Sequence, residues 1–197
     1  KALENATKDV SIVVHLASII ESNKKKEFEK VNVEGTKNLI KVCIKNKIKK
    51  FIFVSSYDIV TNTPYGKSKA LAEHSVKNSG LNYLIFRPTV IYGPDNKKDI
   101  GKLIQLIKNY PLIPIPGKGR IKLQPLFIDD FTDILVQGIK SKKRNKEYFV
   151  AGPESISFNE VINAISKILS KKVYKLYIPN VFVNLINKSL LQDKICD

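Results

Sequence analysis

Residues 50–69 read KFIFVSSYDIVTNTPYGKSK, and they contain the signals that decide the fold. The apolar, aromatic and β-branched run Lys50–Val54 is typical of a strand buried on both faces of a parallel sheet. Ser55 and Ser56 follow that strand directly, and a helical pattern begins near Pro64. The segment therefore predicts one strand–connection–helix unit of an α/β protein.

The same alternation continues on both sides of this segment. Apolar runs predict buried strands over residues 10–16 and 82–86, and helical spacing predicts helices over 28–46 and 64–78. Parallel strands joined by right-handed crossovers require this order of strand and helix. The first half of the chain therefore predicts a doubly wound parallel sheet of the α/β class.

The second half is less regular. It predicts, in order, a helix over 99–109, a loop over 111–119, a strand over 126–128, a helix capped by Asp129 or Asp130, a strand over 147–151, a helix opened by the capping box of Ser157 and Glu160, and an amphipathic tail over 181–191. This mixture indicates a smaller α/β part that follows the sheet.

Composition limits the class of protein. Hydrophobic residues make up 43% and charged residues 26% of the 197 residues, as in ordinary globular proteins. The sequence has neither a secretory signal nor an apolar run of about 18 residues, the length needed to span a membrane. Its two cysteines, Cys43 and Cys196, indicate neither a disulfide framework nor a zinc site. We therefore expect a cytoplasmic protein without a structural metal.

The net charge of +16 raises the question of nucleic-acid binding. Only Arg87, Arg120 and Arg144 among the 34 basic residues are arginine, which makes forked contacts to bases and phosphates. The lysines are spread over every segment. We interpret them as a solvated surface that also steers anionic substrates, and we expect no nucleic-acid partner.

Tyr65 and Lys69 are the candidate catalytic pair. Because they are four residues apart, they lie on the same face of the predicted helix. A nearby ammonium group favours phenolate, so we expect Lys69 to lower the pKa of Tyr65 below its usual value of about 10. A chain so rich in lysine produces this spacing by chance as well, so the surrounding residues must decide.

Those surrounding residues come from the ends of the predicted strands. They are residues 15–18, then Ser55 and Ser56, then residues 87–89. In a doubly wound sheet the carboxyl ends of the strands border one ligand-binding crevice. We therefore expect a serine hydroxyl, the Tyr65 phenol and the Lys69 ammonium group to meet there, where they can move a proton on or off a substrate oxygen.

These motifs resemble the extended short-chain dehydrogenase/reductase superfamily, in its NAD-dependent epimerase/dehydratase group. In family order they are VVHLA (13–17), VNVEGTKNL (31–39), FIFVSS (51–56), PYGKSKALAE (64–73), RPTVIYGP (87–94) and PLFIDD (125–130). The resemblance covers most of the chain. The short gap between Ser56 and Tyr65, and the LQP at 123–125, are similar to proteins like the 39-kDa subunit of complex I and to related sugar-nucleotide epimerases.

The resemblance implies a fold and an activity. Residues 1–92 would be the later part of a Rossmann-type NAD(P)-binding domain, and residues 93–197 a substrate-binding part, with 126–151 packing back on the sheet. The implied activity is NAD- or NADP-dependent epimerisation, dehydration or reduction of a nucleotide sugar or a similar carbonyl or alcohol. The alternative is a catalytically silent NAD(P)H-binding assembly subunit.

The resemblance also implies roles for individual residues. Tyr65 would be the catalytic acid/base, with Lys69 lowering its pKa and holding the nicotinamide ribose. Ser56, or else Ser55, would orient the substrate oxygen. Leu16, Ala17 and Asn32 would line or position the cofactor side of the cleft, and Phe86 and Pro88 would pack beside the nicotinamide.

One departure from the family concerns the N-terminus. The glycine-rich turn that binds pyrophosphate is absent from these 197 residues, and the chain opens without Met on what reads as the tail of a helix. We therefore expect an N-terminal portion of about three strand–helix units to be missing here. We also expect the chain as written to bind NAD poorly.

Three residues keep two interpretations. His15 is either a packed strand-end residue or a ligand, and Arg87 either binds a substrate phosphate or braces the crevice against a carboxylate. Arg120, with Lys118, either reaches a nucleotide diphosphate or is a solvated loop residue. Family members often pair through helices such as 28–46 and 64–78, so a homodimer is expected.

Overall fold

The computed structural model describes residues 2–179 and 181. The helices are α1 (Ala2–Ala6), α2 (Lys25–Phe28), α3 (Gly35–Lys45), α4 (Pro64–Lys77), α5 (Ile100–Asn109), α6 (Ile128–Lys140) and α7 (Phe158–Ile168), with a π-helical turn at Glu29–Glu34 and a 3-10 turn at Tyr57–Val60. The strands are β1 (Ile12–His15), β2 (Lys50–Val54), β3 (Tyr83–Pro88), β4 (Ile91–Tyr92), β5 (Leu112–Pro116), β6 (Lys122–Leu123), β7 (Leu126–Phe127), β8 (Lys146–Val150), β9 (Ile156–Ser157) and β10 (Tyr174–Ile178).

The chain divides into two compact units. Among the described residues, unit 1 comprises residues 2–89 and 129–151, and unit 2 comprises residues 90–128 and 152–179. Ile91–Tyr92 pairs with Leu126–Phe127 inside unit 2. The segment that returns to unit 1 begins at Asp129. The assignment of residues 1–92 to cofactor binding and of residues 93–197 mostly to substrate binding stays a prediction.

Unit 1 contains the predicted parallel sheet. Its four strands lie in the order β1-β2-β3-β8, and every neighbouring pair is parallel. Helices α3 and α4 cover one face and bury a continuous apolar core with it, formed by Ile40, Cys43, Ile48, Phe51, Phe53, Ala72, Val76 and Ile85. The α/β prediction is confirmed, and the carboxyl ends of β1, β2 and β3 share one edge of this sheet.

Helix α6 packs on the opposite face of the sheet. Gly138 allows the close approach, because a Cβ atom there would lie 2.9 Å from the Phe86 ring. The ammonium group of Lys50, at the start of β2, donates to the carbonyl oxygens of Gly138 and Ile139 in the last turn of α6 and of Ser141 just after it. The first residue of β2 therefore caps this helix.

The helix predicted over 28–46 begins earlier and is not uniform. The helical segment starts at Lys25 and passes through the π-helical turn Glu29–Glu34 before α3. π-Helical turns occur frequently at functional sites. Asn32 lies within this turn.

Unit 2 is built around α5, α7 and the parallel pair of β5 and β10. The loop predicted over 111–119 is wrong in its first part, because Leu112–Pro116 forms a strand whose Ile113 and Ile115 are fully buried. Pro114 and Pro116 face outward, which a two-stranded edge tolerates.

Other predictions for unit 2 stand differently. The capping box of Ser157 and Glu160 is present at α7. Helix α6 starts at Ile128, so Asp129 and Asp130 occupy its first turn instead of capping it. The amphipathic tail predicted over 181–191 lies outside the described residues, apart from Val181.

No helix within residues 2–179 is long and apolar enough to cross a lipid bilayer. The same part of the chain contains no cluster of three or more His, Cys, Asp or Glu side chains that could hold a metal ion.

Candidate active site

Tyr65 lies at the second position of α4, beside the carboxyl end of β2. Pro64 occupies the first helical position, where its missing N–H is not needed, and the Thr63 hydroxyl accepts a hydrogen bond of 3.0 Å from the Gly66 amide. This cap fixes where the helix starts. It therefore also fixes where the phenol lies.

The phenol of Tyr65 meets two serine hydroxyls. Ser56, just after β2, and Ser18, in the loop after β1, lie near it, and their hydroxyls favour its ionised form. Ser56 is itself held by accepting a bond of 3.1 Å from the Asp58 amide, as the cap of the 3-10 turn. The predicted meeting of Tyr65 and Ser56 is thus present in the structure. Ser18 belongs to the predicted strand-end residues, but neither its spacing nor the resemblance predicts a role for it.

The pKa of Tyr65 is raised, which contradicts the expected lowering. Burial of the phenol is the largest cause, and the Asp58 carboxylate adds to it. The two serine hydroxyls act in the opposite direction without offsetting burial. In this arrangement the phenol is protonated at neutral pH, so it is a proton donor rather than a ready base.

The ammonium group of Lys69 binds the end of β2 and does not act as a counter-charge of the Tyr65 phenol. Its Nζ donates to the carbonyl oxygen of Val54 at 2.7 Å and lies 4.4 Å from the centre of the Phe53 ring. The residue is 1% exposed, and this burial lowers its pKa to about 8, against a raising effect of Glu73. Near neutral pH the amine of Lys69 is therefore close to its titration range.

Asn32 links the site's elements. Its side-chain amide donates to the Ile19 carbonyl and to the Ser68 hydroxyl, and its oxygen accepts from the Ile19 amide at 2.9 Å. Ser68 in turn donates to the carbonyl of Tyr65 at 2.7 Å. One buried amide thus holds both the Ser18 loop and the first turn of α4.

Ser55 lies at the end of β2 with its side chain buried. Its hydroxyl is a buried polar atom without a hydrogen-bond partner among the described residues. Buried polar groups nearly always have partners, so this unpartnered hydroxyl at a strand end calls for a structural or functional explanation.

Arg87 is held by two carboxylates. Its guanidinium group makes two bonds to Glu73, of 2.9 and 2.5 Å, and a third to Glu147. It also lies over the Phe149 ring. Its Nε and Nη2 donors are thus engaged by two carboxylates, which favours the interpretation that Arg87 braces the crevice over the one that it binds a substrate phosphate.

The remaining predicted site residues lie at different places in the fold. Leu16 and Ala17 are exposed in the loop after β1, and Pro88 is buried at the end of β3. Phe86 faces α6, where its ring stacks on Tyr148, whereas α4 lies on the other side of the sheet. Because side chains alternate along β3, Phe86 does not share the side of Tyr65. Arg120 is exposed in unit 2, after the Gly119 turn.

His15 is packed at the end of β1, which favours its interpretation as a packed strand-end residue over that as a ligand. Its Nε2 lies 2.9 Å from the Thr36 hydroxyl, and because that hydroxyl donates to the Asn32 carbonyl, Nε2 must be the donor. The ring contacts Phe51 and Phe53. Burial, together with the charge of Lys69, lowers the pKa of His15 to about 4, so the imidazole is neutral.

Comparisons with known proteins identify families that this chain is similar to. Residues 1–68 match the profile of the 3-beta hydroxysteroid dehydrogenase/isomerase family. The UDP-glucose 4-epimerase of Vibrio cholerae is 27% identical over 95% of this chain and 67% of its own length. The resemblance to extended short-chain dehydrogenases/reductases is confirmed. A subunit of mitochondrial NADH dehydrogenase from Dictyostelium discoideum (1 alpha subcomplex subunit 9) is 25% identical over 98% of this chain and 54% of its own length.

Solved structures agree on the fold. The UDP-glucuronic acid 4-epimerase of Bacillus cereus, solved in complex with NAD, superposes with a TM-score of 0.83 at 24% identity, over 90% of this chain and 66% of that one. The chain thus spans about one half to two thirds of the length of such relatives.

Proposed function

We propose that the whole protein to which this chain belongs is an NAD- or NADP-dependent oxidoreductase of the epimerase/dehydratase kind. The observation that carries the proposal is the convergence of the Tyr65 phenol with the hydroxyls of Ser18 and Ser56 at the carboxyl edge of the sheet. Lys69 follows Tyr65 by one helical turn, under the same edge. These are the groups that proton transfer to or from an alcohol oxygen requires.

In the proposed reaction Tyr65 handles the proton. The protonated phenol donates its hydrogen to the oxygen of a substrate carbonyl as the carbonyl carbon is reduced, and in the reverse direction the phenolate takes the alcohol proton. Ser56, fixed by the Asp58 amide, holds the substrate oxygen in line with the phenol. The nicotinamide cofactor supplies the donor and acceptor of the hydride.

The residues present fit the nicotinamide end of such a cofactor. The Ser55 hydroxyl is buried at the edge of the sheet without a hydrogen-bond partner among the described residues. The ammonium group of Lys69, which has three hydrogens, donates one hydrogen bond to the Val54 carbonyl. Leu16 and Ala17 are exposed in the adjacent loop. The glycine-rich turn that would hold the pyrophosphate does not occur in these 197 residues.

A nucleotide sugar is the proposed substrate, because relatives named for UDP-glucose and UDP-glucuronic acid match 90% or more of the chain. Arg120 remains a proposed phosphate contact. A homodimer through α3 and α4 is also proposed, since Ile44 and Leu71 expose large apolar side chains on these helices. The choice between NAD and NADP and the cytoplasmic location stay predictions.

The test is Tyr65→Phe in the whole protein. We expect turnover of UDP-glucose or UDP-glucuronic acid to be abolished while NAD binding, measured by calorimetry, is retained, because the ring remains and only the proton donor is removed. Tyr57→Phe, which changes an exposed tyrosine eight residues earlier, is the matched control and should keep full turnover. Retained turnover in Tyr65→Phe would refute the assigned role.

A second candidate is a nicotinamide-binding subunit without turnover. The raised pKa of Tyr65 and the similarity to the NADH dehydrogenase subunit favour it. Its mark would be bound NADPH that stays unreacted over a panel of nucleotide sugars, with wild type and Tyr65→Phe behaving alike.

A further inference from the structure

Lys69 and Glu73 are buried side chains of opposite charge, placed one helical turn apart on α4. They are 1% and 3% exposed, respectively. Residues four apart on a helix are neighbours on its surface, and water screens such a pair poorly when it is buried. The charge of one side chain therefore bears on the protonation of the other.

Glu73 is held in place from the other side. Arg87 from β3 grips its carboxylate with two hydrogen bonds, and Lys77 lies 3.7 Å away. Glu147 from β8 binds both of these cations, Lys77 at 2.8 Å. The network closes on itself, so the carboxylate of Glu73 has little freedom to move relative to α4.

Within residues 2–179, the direct contacts of Lys69 include no carboxylate. The Val54 carbonyl and the Phe53 ring are its direct contacts. The other titratable groups near it are His15, from β1, which is neutral, and Tyr65, one turn earlier, which is protonated. The guanidinium group of Arg87, which also binds Glu147, hydrogen-bonds to the carboxylate of Glu73.

We propose that Glu73 is a positioning residue for the amine of Lys69: anchored by Arg87, its carboxylate keeps this buried amine protonated near neutral pH. The proposal rests on the proposed function only for its significance, because Lys69 is the residue that would hold the nicotinamide ribose beside Tyr65. The proposed role of Glu73 concerns the titration of Lys69, so it can be tested without measuring turnover.

The experiment follows the side-chain NMR signal of Lys69 in ¹³C-lysine-labelled protein, assigned by its absence in Lys69→Arg. The expected wild-type midpoint is near pH 8. In Glu73→Gln the midpoint should fall by roughly one pH unit or more, because the favourable charge is gone while burial remains. In Glu147→Gln, the matched control that removes a carboxylate from the same network, it should stay where it is.

Glu73→Asp should return the midpoint most of the way, since the charge is restored. An unchanged midpoint in Glu73→Gln, or equal shifts in Glu73→Gln and Glu147→Gln, would overturn the proposal. If Glu73→Gln does not fold, the wild-type protein still decides. The carboxyl ¹³C signal of Glu73 should show a step at the Lys69 midpoint, and a flat trace there would overturn it.

These outcomes are separable from those of the proposed function. Tyr65→Phe can be inactive or active whatever the midpoint of Lys69 is. A failed titration test therefore leaves the oxidoreductase proposal standing, and an inactive wild-type protein leaves the titration test valid.

Discussion

His15 makes the folded protein sensitive to acid, and His15→Gln should relieve that sensitivity. The imidazole is buried, donates to Thr36 and contacts two phenylalanine rings, so its neutral form is strongly favoured in the folded state. Its pKa in the folded protein is about 4, against about 6.5 when the chain is unfolded. The unfolded state therefore takes up a proton in a pH range where the folded state does not.

The size of the effect follows from these two values. Above pH 6.5 the histidine is neutral in both states and costs nothing. As the pH falls from 6.5 towards 4, only the unfolded state binds the proton, so stability is lost, and the loss saturates below pH 4. The difference of 2.5 between the two pKa values corresponds to a limit of about 3 kcal/mol, of which about 2 kcal/mol is lost by pH 4.5.

The assay is urea unfolding followed by circular dichroism at pH 7 and pH 4.5. Gln keeps an amide donor that can reach Thr36 but has no proton to take up. The loss of unfolding free energy between the two pH values should therefore be about 2 kcal/mol smaller in His15→Gln than in wild type. The difference removes the contribution of carboxylates, which is common to both proteins.

His74→Gln is the matched control, because His74 is exposed on α4. It should lose stability on acidification as wild type does. The chain has two histidines, so an imidazole NMR titration gives a direct check on the same value. Equal acid losses in wild type and His15→Gln, or an imidazole midpoint of His15 near 6.5, would refute the reasoning.

Two further predictions concern the helices. Gly66→Ala should destabilise the protein by more than about 2 kcal/mol, because its new methyl group would overlap the Asp58 carbonyl. Gly35→Ala, whose methyl group would meet nothing closer than 4.0 Å, should instead stabilise the protein by about 0.5–1 kcal/mol. Thermal melting measures both variants, and similar melting temperatures would contradict the close approach of Gly66 to Asp58. Ser157→Ala removes the cap of α7 and should lower the free energy of unfolding by about 1 kcal/mol. The loss should appear as faster hydrogen exchange of the Glu160 amide, with Ser155→Ala as the control. Unchanged exchange at Glu160 would disprove the contribution of the cap.

The sheet of unit 1 could be predicted from the sequence because its strands are short apolar runs. β2 matches its predicted range Lys50–Val54, and β8 differs by one residue at each end. The two-residue strands β4, β6 and β9 could not be predicted, because they exist only through pairing with distant segments. β5 was hidden by its prolines, which read as a loop until the burial of Ile113 and Ile115 is known.

The site was predictable where strand ends determine it. Ser56 and Tyr65 meet because the end of β2 and the start of α4 are joined by a short connection. Ser18 had no comparable signal, because its position depends on hydrogen bonds between Asn32 and Ile19. The direction of the Tyr65 pKa was wrong because spacing alone cannot tell that the Lys69 amine turns to the Val54 carbonyl.

The position of β1 at the margin of the sheet has a practical consequence for work with this 197-residue chain. Within the described residues β1 pairs with β2 alone, so its outer amides and carbonyls offer a template for strand addition between molecules. Association of this kind grows with concentration and with salt, which screens the repulsion between chains of charge +16. Purification at low ionic strength should therefore keep the molecules apart better than a high-salt buffer.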